Sequence, residues 1–453
     1  MASRLIDSLA STEALAELFS DDSILRAMLQ FEIALAQVES RLGIIPAPAA
    51  QSIAAAANPA LFDAAELSRS SLRAGTPGIP LVKALTERVR SMDASAAAFV
   101  HWGATSQDVS DTALILLLTE AQSLIAADLA RCEKALAALS EQHRNSVMLG
   151  RTLLQAGPPI TFGLKTAGWL GAVRRGRDRL AQAFADALVV QFGGAVGTLA
   201  MLGDKGWEVV RELATELNLG CPDAPWHTDR DRLGALMCAC GLLTGSLGKI
   251  SRDISLLMQN EVGEASEPVG EGRGGSSTMP HKRNPIGCAV TIAAAARMPG
   301  LVASYLTAMV QEHERSVGGS QSEWPTVAAV IQATGVAAAS MAEIAEGLTL
   351  DTARMRRNLD ATRGIVFAEK VMTALSGKID REKAHRLLES AVRRVAQEQR
   401  TLAEVLGEMP EIIDILDKAA VQKLAVAEDY LGSAESFRIA LLQNRPSTPP
   451  TKS

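Results

Sequence analysis

Residues 108–142 contain neither proline nor glycine, and that unbroken run constrains the fold more than any other feature of the chain. Leu117, Ala121, Leu124, Ile125, Leu129, Cys132, Leu136 and Leu139 recur along it at helical spacing. At ~1.5 Å per residue the run predicts a helix of roughly 50 Å. Similar helical stretches are expected near 161–190, 229–264, 285–312 and 325–347. Helices of this length cannot cover their apolar faces inside a small globule, so they predict a bundle, shared between subunits. Small-residue runs at 293–296 and 337–340 allow close helix approach.

The flanks read differently. Ile24, Met28, Phe31, Leu35, Val38 and Leu42 predict a helix over 22–42, led by Asp21 and Asp22 and ended by Gly43. Shorter helical pieces follow, interrupted at Pro59, Gly75, Pro77, Gly78 and Pro80. From about residue 351 the chain becomes more charged and predicts a smaller helical lobe, with a disordered tail in NRPSTPPTKS. The expected fold class is all-α.

Of 453 residues, 47% are hydrophobic and only 4% aromatic, which permits a large core and favours helices over sheets. The net charge of −6 carries no like-charge run, so neither nucleic acid nor an acidic membrane surface is an expected partner. The five cysteines form no CxxC pair, so neither a disulfide framework nor a metal site is expected. The N-terminus lacks the apolar core of a signal peptide, and no stretch is expected to approach the ~20 apolar residues of a membrane span. A cytoplasmic protein is the expectation.

The most informative segment is GEGRGGSSTMPHKRNP, residues 270–285. Its glycines at 270, 272, 274 and 275 are costly to order in a helix. Three readings fit: a flexible surface loop, a phosphate loop lacking the GxxxxGK[ST] spacing, or a mobile lid delivering Ser276 or Ser277 to a substrate. Pro280 and Pro285 bracket His281, Lys282, Arg283 and Asn284, and Pro285 can open a following helix.

GSSTMPHKRNP resembles the GSSxMPxKxNP signature of the fumarase/aspartase superfamily at every fixed position. HWGATSQD at 101–108 and GRTLLQAGPPITFG at 150–163 resemble the superfamily's other two signature regions. The resemblance implies three helical domains, here 1–107, 108–350 and 351–453, and a homotetramer with a twenty-helix core and active sites shared between subunits. It implies no cofactor. It makes Ser276 the catalytic acid/base that trades a proton with the carbon next to a carboxylate. Lys282 and Asn284 would hold that carboxylate, Ser277, Thr105, Ser106 and Gln155 would donate to the substrate, and Arg315 would bind it. His101 would orient a substrate group or Ser106. His227, in WHTDRDR, is expected to head a helix, and His281 either polarises the serine loop or is structural.

Position 153 narrows the choice. Superfamily members similar to adenylosuccinate lyase have a histidine there to protonate the departing amine, and Leu153 can protonate nothing. In the lactonising of 3-carboxy-cis,cis-muconate the group that adds or leaves is a carboxylate, with a pKa near ~4, which needs no acid. GIPLVKAL, WHTDRDR, EHERSVGGSQSEW and RMRRNLDATRGIVFAEKVM also resemble the bacterial cycloisomerases of that substrate. The resemblance therefore implies a cycloisomerase acting on a small tricarboxylate in the β-ketoadipate route of aromatic degradation. The alternatives are a C–N lyase resembling adenylosuccinate lyase and an inactive structural paralogue.

Overall fold

The computed structural model describes residues 5–270, 274–275, 279 and 282–443. Six long helices dominate them: α1 (Asp21–Arg41), α2 (Ser106–Gln142), α3 (Phe162–Ala187), α4 (Asp231–Leu257), α5 (Ile286–Ala308) and α6 (Gly319–Gly347). The strands are short, the longest pair being β1 (Val147–Thr152) and β2 (Gln155–Thr161). The all-α expectation holds. The predicted tail from residue 444 lies outside the described residues.

The chain forms two compact units: 1–130 with 175–249 and 289–341, and 131–174 with 250–288 and 342–453. In the first unit, α1 starts where the Ser20 side chain accepts the Ser23 N–H, and Asp21 and Asp22 occupy the positive end of the helix dipole. Its Phe31, Leu35 and Val38 are buried, as the spacing predicts. The core continues through Ile115 and Leu118 of α2, Leu236, Leu243 and Leu247 of α4, and Val330, Ile331 and Ala337 of α6. Glycine sets the approach distances: a Cβ on Gly335 would lie 2.0 Å from Leu15 Cδ1, and one on Gly248 would lie 2.5 Å from the Ala295 Cβ.

In the second unit, β1 and β2 form an antiparallel hairpin with Thr152 opposite Gln155. Leu153 and Leu154 make its two-residue turn with φ of +50° and +65°. Val147 and Leu149 pack with Leu359, Val366 and Phe367. The charged lobe predicted beyond 351 has its own core, including Leu375, Ala391, Val395, Val405 and Ile412. Its helix at Leu402–Leu406 opens with a Thr401–Glu404 capping box.

One expectation is corrected. Four helices, α2, α4, α5 and α6, are long and apolar enough to cross a membrane by length and composition alone. The cause is the bundle pattern itself: a helix covered on several sides by other helices is apolar nearly all round. The most apolar stretch of α5 is only 28% buried within the single chain, against 67% for α6.

Buried charge carries a testable consequence. Glu39 is 0% exposed, and neither carboxylate oxygen has a partner among the described residues. Burial, and then the Glu32 carboxylate, push its pKa up from 4.5 to about 9. The folded protein thus keeps a proton that the unfolded chain releases, so this group lowers stability progressively as pH rises from about 4.5 to about 9. Glu39→Gln removes the ionisation and keeps the shape. Urea unfolding should find the variant indistinguishable from wild type near pH 4, and more stable by at least about 1 kcal/mol at pH 8. Parallel pH curves for the two proteins would refute this.

Candidate active site

The first unit gathers several of the expected residues around the start of α2. Thr105 precedes the helix and Ser106 is its first residue; both are half-buried. The helix is anchored there by Asp108, which is 0% exposed and whose Oδ2 accepts the Thr105 N–H at 3.0 Å. A carboxylate one turn in, reaching back to the N-cap backbone, satisfies a donor the helix leaves orphaned. Gly78, the first residue of the helix Gly78–Met92, presses against this point: a Cβ there would meet the Ser106 carbonyl at 2.7 Å.

His101 lies just upstream in a left-handed conformation, φ +59°. Its Nδ1 pairs with Glu32 Oε1 at 2.6 Å, and the Glu32 side chain is 1% exposed. Burial disfavours the charged imidazole, but Glu32, with Asp108 adding to it, outweighs burial, so the His101 pKa lies above its ordinary value. The Glu32 carboxylate thus favours the protonated form of His101 and fixes its ring. The hydrogen-bond partner of His101 is Glu32, where the resemblance implies a substrate group or Ser106.

Arg315 is half-buried. Its Nη2 donates to the carbonyls of Gly194 at 3.2 Å and Ala195 at 3.4 Å. Its buried Nε has no partner among the described residues. Burial pushes its pKa down, with Asp108 and Asp111 pulling the other way. A guanidinium held by carbonyls alone, with a donor unspent, is suited to an incoming carboxylate.

Sequence reasoning missed the partners of these groups. His227 does not itself head α4, which begins at Asp231. It is buried, and its Nε2 contacts Asp108 Oδ1 at 2.7 Å. Arg230, 2% exposed, bonds Asp111 through Nη1 at 2.8 Å and Glu323 through Nε at 2.8 Å. Gln107 Nε2 bridges the two groups, donating to the His227 carbonyl at 2.7 Å and to Asp111 Oδ2 at 3.1 Å. The run of polar residues at 106–108 and 110–112, just ahead of the apolar stretch 113–118, is the one available signal.

In the second unit, Lys282 is exposed and Asn284 half-buried, just ahead of α5. The Asn284 N–H donates to the Gly274 carbonyl at 2.9 Å. Glu267, 4% exposed, caps α5 by accepting the N–H groups of Gly287 at 2.9 Å and Cys288 at 2.7 Å. Glu264 accepts two bonds from Arg151, at 2.6 and 2.9 Å, and one from Asn358 at 2.7 Å. Gln155 stands exposed at the base of the hairpin turn, and Leu153 at its tip is 97% exposed. Ser276, Ser277 and His281 lie outside the described residues.

The chain resembles known lyases and cycloisomerases in sequence and in fold. The family described as "Lyase" matches residues 9–300, and that described as "Adenylosuccinate lyase C-terminus" matches 364–438. A 3-carboxy-cis,cis-muconate cycloisomerase from Bradyrhizobium diazoefficiens is 47% identical over 98% of this chain and 98% of its own length. A nitrosuccinate lyase from Streptomyces davaonensis is 41% identical over 92% of this chain and 89% of its own. Among solved structures, the 3-carboxy-cis,cis-muconate lactonizing enzyme from Pseudomonas putida superposes with a TM-score of 0.91 at 44% identity, covering 97% of this chain and 98% of that one.

Proposed function

The chain belongs to the lyase family of the fumarase/aspartase superfamily, and from that membership we infer that it is an isomerase, closing 3-carboxy-cis,cis-muconate to 4-carboxymuconolactone. The full-length likeness to cycloisomerases carries this reading. The residue at position 153 supports it, since an apolar leucine suits a reaction in which no leaving group requires a proton.

In the forward direction one carboxylate of the substrate attacks its own double bond and forms the lactone C–O bond. The π electrons move to the carbon beside a second carboxylate, which becomes an enediolate-like dianion. Ser276 then gives its hydroxyl proton to that carbon and is reprotonated from solvent, so the product is an isomer of the substrate. Lys282 and Arg315 are the cations for a trianionic substrate, His101 orients a substrate group, and Thr105, Ser106, Gln155, Ser277 and Asn284 are the neutral donors. Holding the attacking carboxylate against the double bond supplies much of the acceleration.

The reading includes the division at 1–107, 108–350 and 351–453, a homotetramer with shared sites, and a cytoplasmic location. The exposed apolar surface of α5, with Leu306 at 44%, supports the assembly. The test is ultraviolet absorbance: wild type should remove the conjugated diene of 3-carboxymuconate. Turnover of nitrosuccinate or adenylosuccinate with none of the muconate would overturn the assignment in favour of a lyase.

A further inference from the structure

The geometry points to Asp108 and His227 as a positioning pair that sets the substrate-binding groups Thr105 and Arg315 at one spacing. The proposal rests on the reading that those two groups bind the substrate.

Four donors converge on Asp108. His227 Nε2 at 2.7 Å and the Gly193 N–H at 3.1 Å reach Oδ1, and the N–H groups of Gly194 and Thr105, each at 3.0 Å, reach Oδ2. Two bonds on each oxygen fill what a carboxylate accepts. The donors come from stretches far apart in the chain, and two of them lead straight to the substrate. Thr105 is itself a proposed donor, and the Gly194 carbonyl holds Arg315 Nη2 at 3.2 Å. One buried carboxylate therefore fixes the start of α2 and, through the Gly193–Gly194 backbone, the guanidinium.

His227 is the one side chain among the four donors on Asp108, and its contact is the shortest. A carboxylate only accepts, so Nε2 carries the hydrogen. Its own carbonyl is held by Gln107, two residues behind Thr105 along α2. Its ring also walls the glycine pair: a Cβ at Gly193 would come within 2.7 Å of His227 Cε1. Side chain and backbone of one residue thus tie both ends of the arrangement.

The test separates position from proton transfer. His227→Leu removes the donor, and His227→Gln replaces it with an amide N–H. Both are first checked for folding by circular dichroism and thermal melting. His227→Leu should lower kcat/KM for 3-carboxymuconate by about 100-fold, mostly through KM, as an ångström-scale misplacement does. His227→Gln should recover most of that loss and keep both limbs of the wild-type pH profile. If His227→Gln is as impaired as His227→Leu and has lost a limb, His227 transfers protons and the proposal falls. It falls equally if His227→Leu binds and turns over like wild type. Calorimetric binding of tricarballylate, a saturated tricarboxylate, provides a readout independent of turnover. Wild type that binds tricarballylate without converting muconate would overturn the cycloisomerase reading, while weaker binding by both His227→Leu and Arg315→Ala would still support the pair. Undiminished binding by His227→Leu would refute it.

Discussion

Ser276→Ala is expected to lower kcat for muconate cyclisation by about 10³-fold, within the range a positioned acid–base group contributes, while KM stays within a few-fold of wild type. The split follows from when the hydroxyl acts. In the proposed mechanism a serine proton is not needed to hold a trianion, because Lys282 and Arg315 would supply that attraction in ground and transition states alike. It is needed once the carbon beside the carboxylate has become nucleophilic, and an interaction realised only there appears in kcat. Ser277→Ala should behave oppositely, raising KM more than it lowers kcat, if that hydroxyl only donates to a carboxylate. Initial rates over a range of muconate concentrations measure both. A Ser276→Ala enzyme with near-normal kcat, beside an inactive Ser277→Ala enzyme, would transfer the acid/base role to the second serine.

The helical frame was legible because its signal is local and repeated. The run predicted at 108–142 is the helix Ser106–Gln142, and that at 161–190 is Phe162–Ala187. The ends were harder to read. The helix expected from Pro325 begins at Gly319, so Pro325 lies inside it and the helix continues past it despite the i→i−4 hydrogen bond a proline cannot make. The hairpin at 147–161 was invisible as a hairpin. Its turn needs two residues at positive φ, and Leu153–Leu154 carries none of the Asn–Gly or Asp–Gly chemistry that announces such a turn. The motif residues of the site could be named from their register, but their partners could not. Asp108 and His227 lie 119 positions apart, and nothing in the period of either segment connects them. Glu32 and His101 lie 69 positions apart, and no local pattern on α1 announces their contact.

The largest stability effect is expected at Arg230. This guanidinium is wholly buried between Asp111 and Glu323, lies 4.7 Å from the Trp226 ring centroid, and has no solvent to replace a lost partner. Arg230→Met leaves two buried carboxylates facing each other without a cation, which costs about 3–5 kcal/mol. Urea denaturation should register a loss of that size, or the variant should accumulate as aggregate. The triple variant Arg230→Met, Asp111→Leu, Glu323→Leu removes every charge of the network, and buried ion networks replaced by apolar side chains are often neutral or more stable by about 1–4 kcal/mol. It should therefore regain most of the stability. It should not regain activity, because Asp111 also accepts from Gln107, the residue that holds the His227 carbonyl. Recovery of stability with loss of muconate turnover would mean that the buried charges serve the geometry of the site more than the strength of the fold. Recovery of both would mean that they serve neither, and failure to regain stability would assign the network to the fold.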